Sequence, residues 1–153
     1  MKMYLPFGDW SGDGHHQYEK VLIEAPSMEV LLEAQKKITA KYGEYFFENF
    51  ANDYQESYLR TEHWQALIDT NYPISRFIET EEVNDWSGCM SFEEVLNIDP
   101  NPCLSLEFII DAFIWLLNTA DANIIRLDKA EEIPTINNWT CPGFETVGYG
   151  CFD

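Results

Sequence analysis

The chain has 153 residues, 46% apolar and 15% aromatic, and carries 27 Asp and Glu against 9 Lys and Arg, a formal charge of -18. An acidic disordered tail lacks that much core-forming material, so the acid is expected to coat a folded protein of one domain spanning 1–153. The charge argues against direct binding of nucleic acid, which is itself a polyanion, and favours basic partners or cations.

In chain order, 2–10 and 17–25 read as strands joined by the turn Ser11-Gly12-Asp13-Gly14. A helix follows, opened by Pro26-Ser27 with Ser27 as N-cap and stopped by Gly43. Met28, Leu31, Leu32, Ile38 and Tyr42 form its apolar stripe, and Lys36, Lys37 and Lys41 suit its C-terminal end. The aromatic-rich stretch 44–58 is ambiguous between helix and irregular chain. A short helix is expected over 61–70 with Trp64, Leu67 and Ile68 inward, and a strand over 74–83. Ser91-Phe92-Glu93-Glu94 has the capping-box pattern, which predicts a helix to Asn97, before Pro100 and Pro102. Residues 104–118 are apolar around nearly the whole circumference and predict a central buried helix. Further strands are expected at 123–127 and 144–152. The sum is an α+β fold: a mainly antiparallel sheet of about four strands packed against several helices.

Asp9-Trp10-Ser11-Gly12 recurs as Asp85-Trp86-Ser87-Gly88, and Tyr18-Glu19-Lys20-Val21-Leu22 is echoed by Phe92-Glu93-Glu94-Val95-Leu96. Two degenerate halves, about 1–75 and 76–153, would account for this, although few positions match and chance accounts for them more simply. The first echoed segment reads as strand and the second as helix.

Chemistry-bearing motifs are sparse. Asp9, Ser11 and Asp13 before Gly14 resemble the start of a calcium loop, with His15 adjacent, but the twelfth position is Lys20 where a bidentate Glu is required. A polar hairpin turn is the simpler reading. His15 and His16 would point to opposite faces of a strand, and His63 beside Trp64 is expected at the surface, partly exposed. None of Cys89, Cys103, Cys141 and Cys151 forms a Cys-x-x-Cys pair, and Cys141 and Cys151 remain free to pair with each other. No nucleophile elbow or phosphate loop occurs, so neither a catalytic residue nor a cofactor is assigned. Asp111 stands out inside the apolar helix; it is read as a satisfied core carboxylate or as part of a thin polar side with Ser105 and Glu107. The apolar stretch at 3–7 is broken by Pro6 and too short for a secretory signal, and 104–117 is too short to span a bilayer. A reduced, cytoplasmic protein without a membrane partner is therefore expected.

The main functional signal is regional. From 44 to 100 there are 13 acids and two bases, Arg60 and Arg76, interleaved with aromatics. Glu79, Glu81, Glu82, Asp85, Glu93 and Glu94 form the candidate electrostatic patch, with Trp86 as a possible aromatic anchor and Tyr72 as another exposed aromatic. In physical type the chain resembles small acidic inhibitors of basic enzymes, namely immunity proteins for toxins and nucleic-acid-mimicking inhibitors of nucleases. The expected role is occlusion of a basic protein partner. The alternatives are a metal-dependent enzyme or small-ligand binder using Asp9, Ser11, Asp13 and His15, and a structural subunit whose acid only solubilises it.

Overall fold

The computed structural model describes residues 2–9, 16–47, 59–81, 88–100, 102 and 104–127. Strands β1 (Lys2–Asp9) and β2 (His16–Glu24) pair antiparallel, with a register shift between Phe7 and Gly8. Pro6, which has no N–H to donate, falls in β1, at the sheet edge where such a gap is tolerated.

Helix α1 (Met28–Tyr42) begins where Ser27 accepts a hydrogen bond from the Val30 N–H at 3.2 Å. It ends at Gly43, whose φ of 122° is readily adopted only by glycine. Leu31, Ala34 and Ile38 are buried along one face, as a 3.6-residue period requires. Helices α2 (Thr61–Asp69) and α3 (Ile74–Thr80) are joined by a turn in which Asn71 takes the left-handed conformation that Asn tolerates. Helix α4 (Phe92–Ile98) is capped by Ser91 as its sequence predicts. Helix α5 (Leu106–Thr119) is the centre of the molecule, and α1, α2 and α3 all pack on it. Phe108, Ile109, Ile110, Ala112, Phe113 and Leu117 on α5 are fully buried. Each large side chain among them contributes roughly 1.5–3 kcal/mol of burial free energy.

The chain then turns back through Asp121 and Asn123, both at positive φ. Asn118 donates from Nδ2 to the Ile124 carbonyl and accepts from the Ile124 N–H, imitating a strand pair. This delivers the two-residue strand β3 (Ile125–Arg126) to the free side of β2.

The expectation of a four-stranded sheet packed against helices is therefore corrected. Among the described residues the protein is mostly helical, with five helices and one antiparallel sheet, a hairpin extended by the two residues of β3. The strand expected at 74–83 is helix α3 instead. Its apolar residues, Ile74, Phe77 and Ile78, recur at three and four residues, and only Phe77 is fully buried. That is the burial pattern of a helix; a strand would bury alternate positions. The strand expected at 144–152 lies outside the described residues. The two echoed segments differ in structure, residues 18–22 lying in β2 and residues 92–96 in α4.

Aromatic rings fuse the helices into one core. Trp64 of α2 and Phe77 of α3 meet each other, and both meet Phe92 of α4 and Phe108 of α5, with the Phe77 and Phe108 centroids 4.8 Å apart and edge-to-face. Offset and edge-on contacts of this kind add about 0.5–1.5 kcal/mol each beyond burial. Much of the aromatic content expected from composition is thus spent inside the fold. Phe46 and Phe47 are buried as well, whereas Tyr45 is exposed.

Candidate functional site

The sequence offers too many carboxylates to single out a site, and the structure sorts them by what each one touches. Between Arg76 and Arg126 no Lys or Arg occurs. Both flanking arginines fold back onto α5: Arg76 Nη2 donates to Asp111 Oδ1, and the Arg126 guanidinium forms a two-pronged pair with Glu107 at 2.6 and 2.9 Å. The acids of α5 are thereby neutralised; elsewhere in the base-free stretch Asp121 lies 3.9 Å from the Lys37 ammonium and Glu79 feels the charge of Arg76.

Asp111 is the centre of a polar rivet. The Tyr72 hydroxyl donates to its Oδ2 while Arg76 occupies its Oδ1. The Arg76 guanidinium lies over the Tyr72 and Trp115 rings, 5.9 and 5.7 Å from their centroids. Trp115 in turn donates from Nε1 to Thr70 Oγ1, tying α5 to the end of α2. Burial, followed by the bond to Asp111, pushes the Tyr72 phenol far above its ordinary value. It therefore supplies no phenolate, and with both carboxylate oxygens occupied the cluster has no open acid or base position. Asp111 is a satisfied, partly buried carboxylate, one of the two readings its sequence context allowed. Tyr72, anticipated as an exposed anchor, is only 4% exposed and belongs to the core.

Of the expected patch residues, Glu79, Glu93 and Glu94 are exposed. Phe77 and Phe92 pack 5.5 Å apart, which sets α3 beside α4, so these carboxylates project from neighbouring helices. Glu82, Asp85 and Trp86 lie outside the described residues. Glu81 is turned inward: it is 6% exposed, and its Oε1 accepts from the Ser105 N–H at the start of α5. Ser105 Oγ donates to the Thr80 carbonyl and caps α5 by accepting from the Phe108 N–H. Glu81 thus joins the end of α3 to the positive end of α5, where a carboxylate is favoured. Burial holds its pKa above the usual carboxylate range, opposed by the bonds from Ser105. It is unavailable to a partner.

His63 also departs from expectation. It is fully buried, not partly exposed. Its Nδ1 accepts from the Arg60 N–H at 3.0 Å, and its Nε2 donates to the Phe46 carbonyl at 2.8 Å. These partners select the neutral tautomer protonated at Nε2. Arg60 has no side-chain acceptor to cap α2, so His63 at the third helical position supplies the bond that holds the helix start. Desolvation lowers its pKa, with weaker opposing help from the Phe46 carbonyl.

The metal candidates Ser11, Asp13 and His15 lie outside the described residues, and Asp9 ends β1. Among the described residues no three His, Cys, Asp or Glu side chains converge as a metal site would require. Cys89 is a buried free thiol; Cys103, Cys141 and Cys151 lie outside the described residues. No described helix is long and apolar enough to cross a membrane. The sorting of acids was not readable from sequence, although the base-free interval from 77 to 125 was.

No family model, curated protein or solved structure matches the chain.

Proposed function

We propose that this chain is an acidic binding protein that occludes the positively charged surface of a protein partner, in the manner of an immunity protein or a nucleic-acid-mimicking inhibitor of a nuclease. The observation that supports this reading most directly is the exposed carboxylate pair of α4, Glu93 and Glu94, with the exposed Glu79 on neighbouring α3, within a stretch that holds no Lys or Arg. Where α5 carries acid, an arginine is spent on it; where α4 carries acid, no ion pair forms among the described residues. Charge presented on packed helices costs little ordering on binding and steers a basic cleft toward it, so association is fast and weakens with salt. The free thiol of Cys89 accords with a reducing, cytosolic setting for such a protein.

The test is capture from the source lysate on the immobilised chain, washed at low and then high salt. The captured protein is then purified and assayed against nucleic acid as competitor. A basic protein released by salt and displaced by nucleic acid supports the reading. Nothing retained at low salt, or a captured protein indifferent to both salt and competitor, contradicts it.

A further inference from the structure

Helix α4 is built so that one side is core and the other is an unusual mixture. Phe92 and Val95 are buried, while Glu93, Glu94, Asn97 and Ile98 face solvent. Met90, just before the N-cap Ser91, is 79% exposed, and Ile98 at the far end is 61% exposed. Within the helix, 94 and 98 are four residues apart and 93 and 97 form the adjacent row, while Met90 lies before the N-cap and is held beside this face by its N–H bond to Glu94.

The exposure of Met90 follows from how the helix is capped. An apolar residue preceding an N-cap usually folds over the fourth helical residue, here Val95. Val95 is fully buried, and Met90 stays in solvent. The capping carboxylate also departs from the usual pattern. Glu94 Oε2 accepts from the Met90 N–H at 2.7 Å, which fixes the Met90 backbone against the acidic side of the helix. A flexible, exposed thioether beside the Glu94 carboxylate is suited to an irregular apolar partner surface. Isolated exposed apolar side chains need no explanation; two of them bracketing the acids of one seven-residue helix do.

We infer that the outward face of α4, formed by Met90, Glu93, Glu94, Asn97 and Ile98, is the docking surface for a basic protein whose lysines or arginines meet the two carboxylates while its apolar side chains cover Met90 and Ile98. The inference rests on the reading of the chain as an acidic binding protein and names the surface that reading requires. A second copy of the chain is the wrong occupant: it too carries a charge of -18, and a symmetric contact would set its own Glu93 and Glu94 against these. A basic surface supplies the complementary charge.

The experiment uses two probes of equal charge, a synthetic amphipathic helix of Lys and Leu and an oligolysine, with binding followed by anisotropy at low and high salt. Wild-type chain is expected to prefer the amphipathic probe by roughly tenfold, and Met90→Ser with Ile98→Ser to abolish that preference while leaving oligolysine binding unchanged. Glu93→Lys with Glu94→Lys is expected to weaken both probes more than Glu33→Lys with Glu44→Lys, which alters net charge equally at exposed positions elsewhere. Glu93→Gln with Glu94→Gln, which keeps an oxygen for the Met90 N–H, replaces the lysine pair if thermal melts show that the latter unfolds α4. If the preference survives in the Met90 and Ile98 variant, or the two charge reversals cost the same, the α4 surface is overturned while the basic-partner reading stands. If neither probe binds in a salt-sensitive way, both fall together.

Discussion

Helices α4 and α5 each carry two carboxylates and use them in opposite ways. On α5, Glu107 is clasped by Arg126, and Asp111 accepts from both Tyr72 and Arg76. On α4, Glu93 and Glu94 face solvent, and the bond recorded for Glu94 goes to the backbone at its own helix start. The difference arises from position. Asp111 sits in the N-terminal half of a helix that is otherwise embedded in apolar neighbours, where a bare charge would be expensive and a partner is obligatory. The acids of α4 sit on a short peripheral helix where water already solvates them. A single composition figure hides two populations of acid, one that holds the fold and one that remains available.

The largest consequence is for stability. Asp111→Ala should destabilise the protein by about 3 kcal/mol, because it orphans the Arg76 guanidinium and the Tyr72 hydroxyl together. For a domain of this size that is a fall in melting temperature of roughly 6–12 °C. Should the melt of Asp111→Ala move no more than that of Glu93→Gln with Glu94→Gln, the contrast between the two helices would collapse.

Lowering pH probes the same contrast through a different group. The His63 pKa is depressed below its ordinary 6.5, so the unfolded chain takes up a proton before the folded one. The stability that neutral His63 provides is complete above about pH 6.5 and is lost as pH falls through the depressed folded value. The slope is at most about 1.4 kcal/mol per pH unit. Glu81, whose folded pKa is raised, runs the other way: its contribution is present at low pH and lost as pH rises through that value. His63→Asn retains an acceptor for the Arg60 N–H and should melt lower at pH 7.5 but lose the acid-dependent decline between pH 7 and 5.5. Identical pH slopes for His63→Asn and wild type would show that the imidazole is not the titrating group in this window.

A smaller effect is expected from Glu107→Gln. Its pair with Arg126 is well aligned, and the bond to the guanidinium pulls the Glu107 pKa down, but both groups are partly exposed. Such pairs contribute up to about 1 kcal/mol, and raising salt should shrink the difference in urea unfolding. The smallest effect on folding belongs to Glu93→Gln with Glu94→Gln, about 0.5 kcal/mol from the weakened helix-dipole interaction. That pair should nonetheless give the largest loss in partner capture. A variant that unfolds readily yet still captures its partner would reverse the assignment.

Several elements were legible because their causes are local. Ser27 and Gly43 bound α1, and Ser91 starts α4, since caps act within one turn. The apolar circumference of 104–118 foretold that α5 would be buried. The segment 74–83 misled because a short run rich in Ile, Phe and Val suits either strand or helix, and packing decided for helix: Phe77 meets Trp64, Phe92 and Phe108 from a single side of α3. His63 was misplaced because, although its bond from the Arg60 N–H is local, its buried partner is the Phe46 carbonyl, 17 positions back along the chain. The same holds for the acids. Sequence alone determined how much negative charge the protein carries, that it accompanies a real core, and that no base lies between Arg76 and Arg126. Only the tertiary structure decided which carboxylates are spent, because an ion pair such as Arg76–Asp111 spans 35 positions of chain and depends on α3 packing against α5.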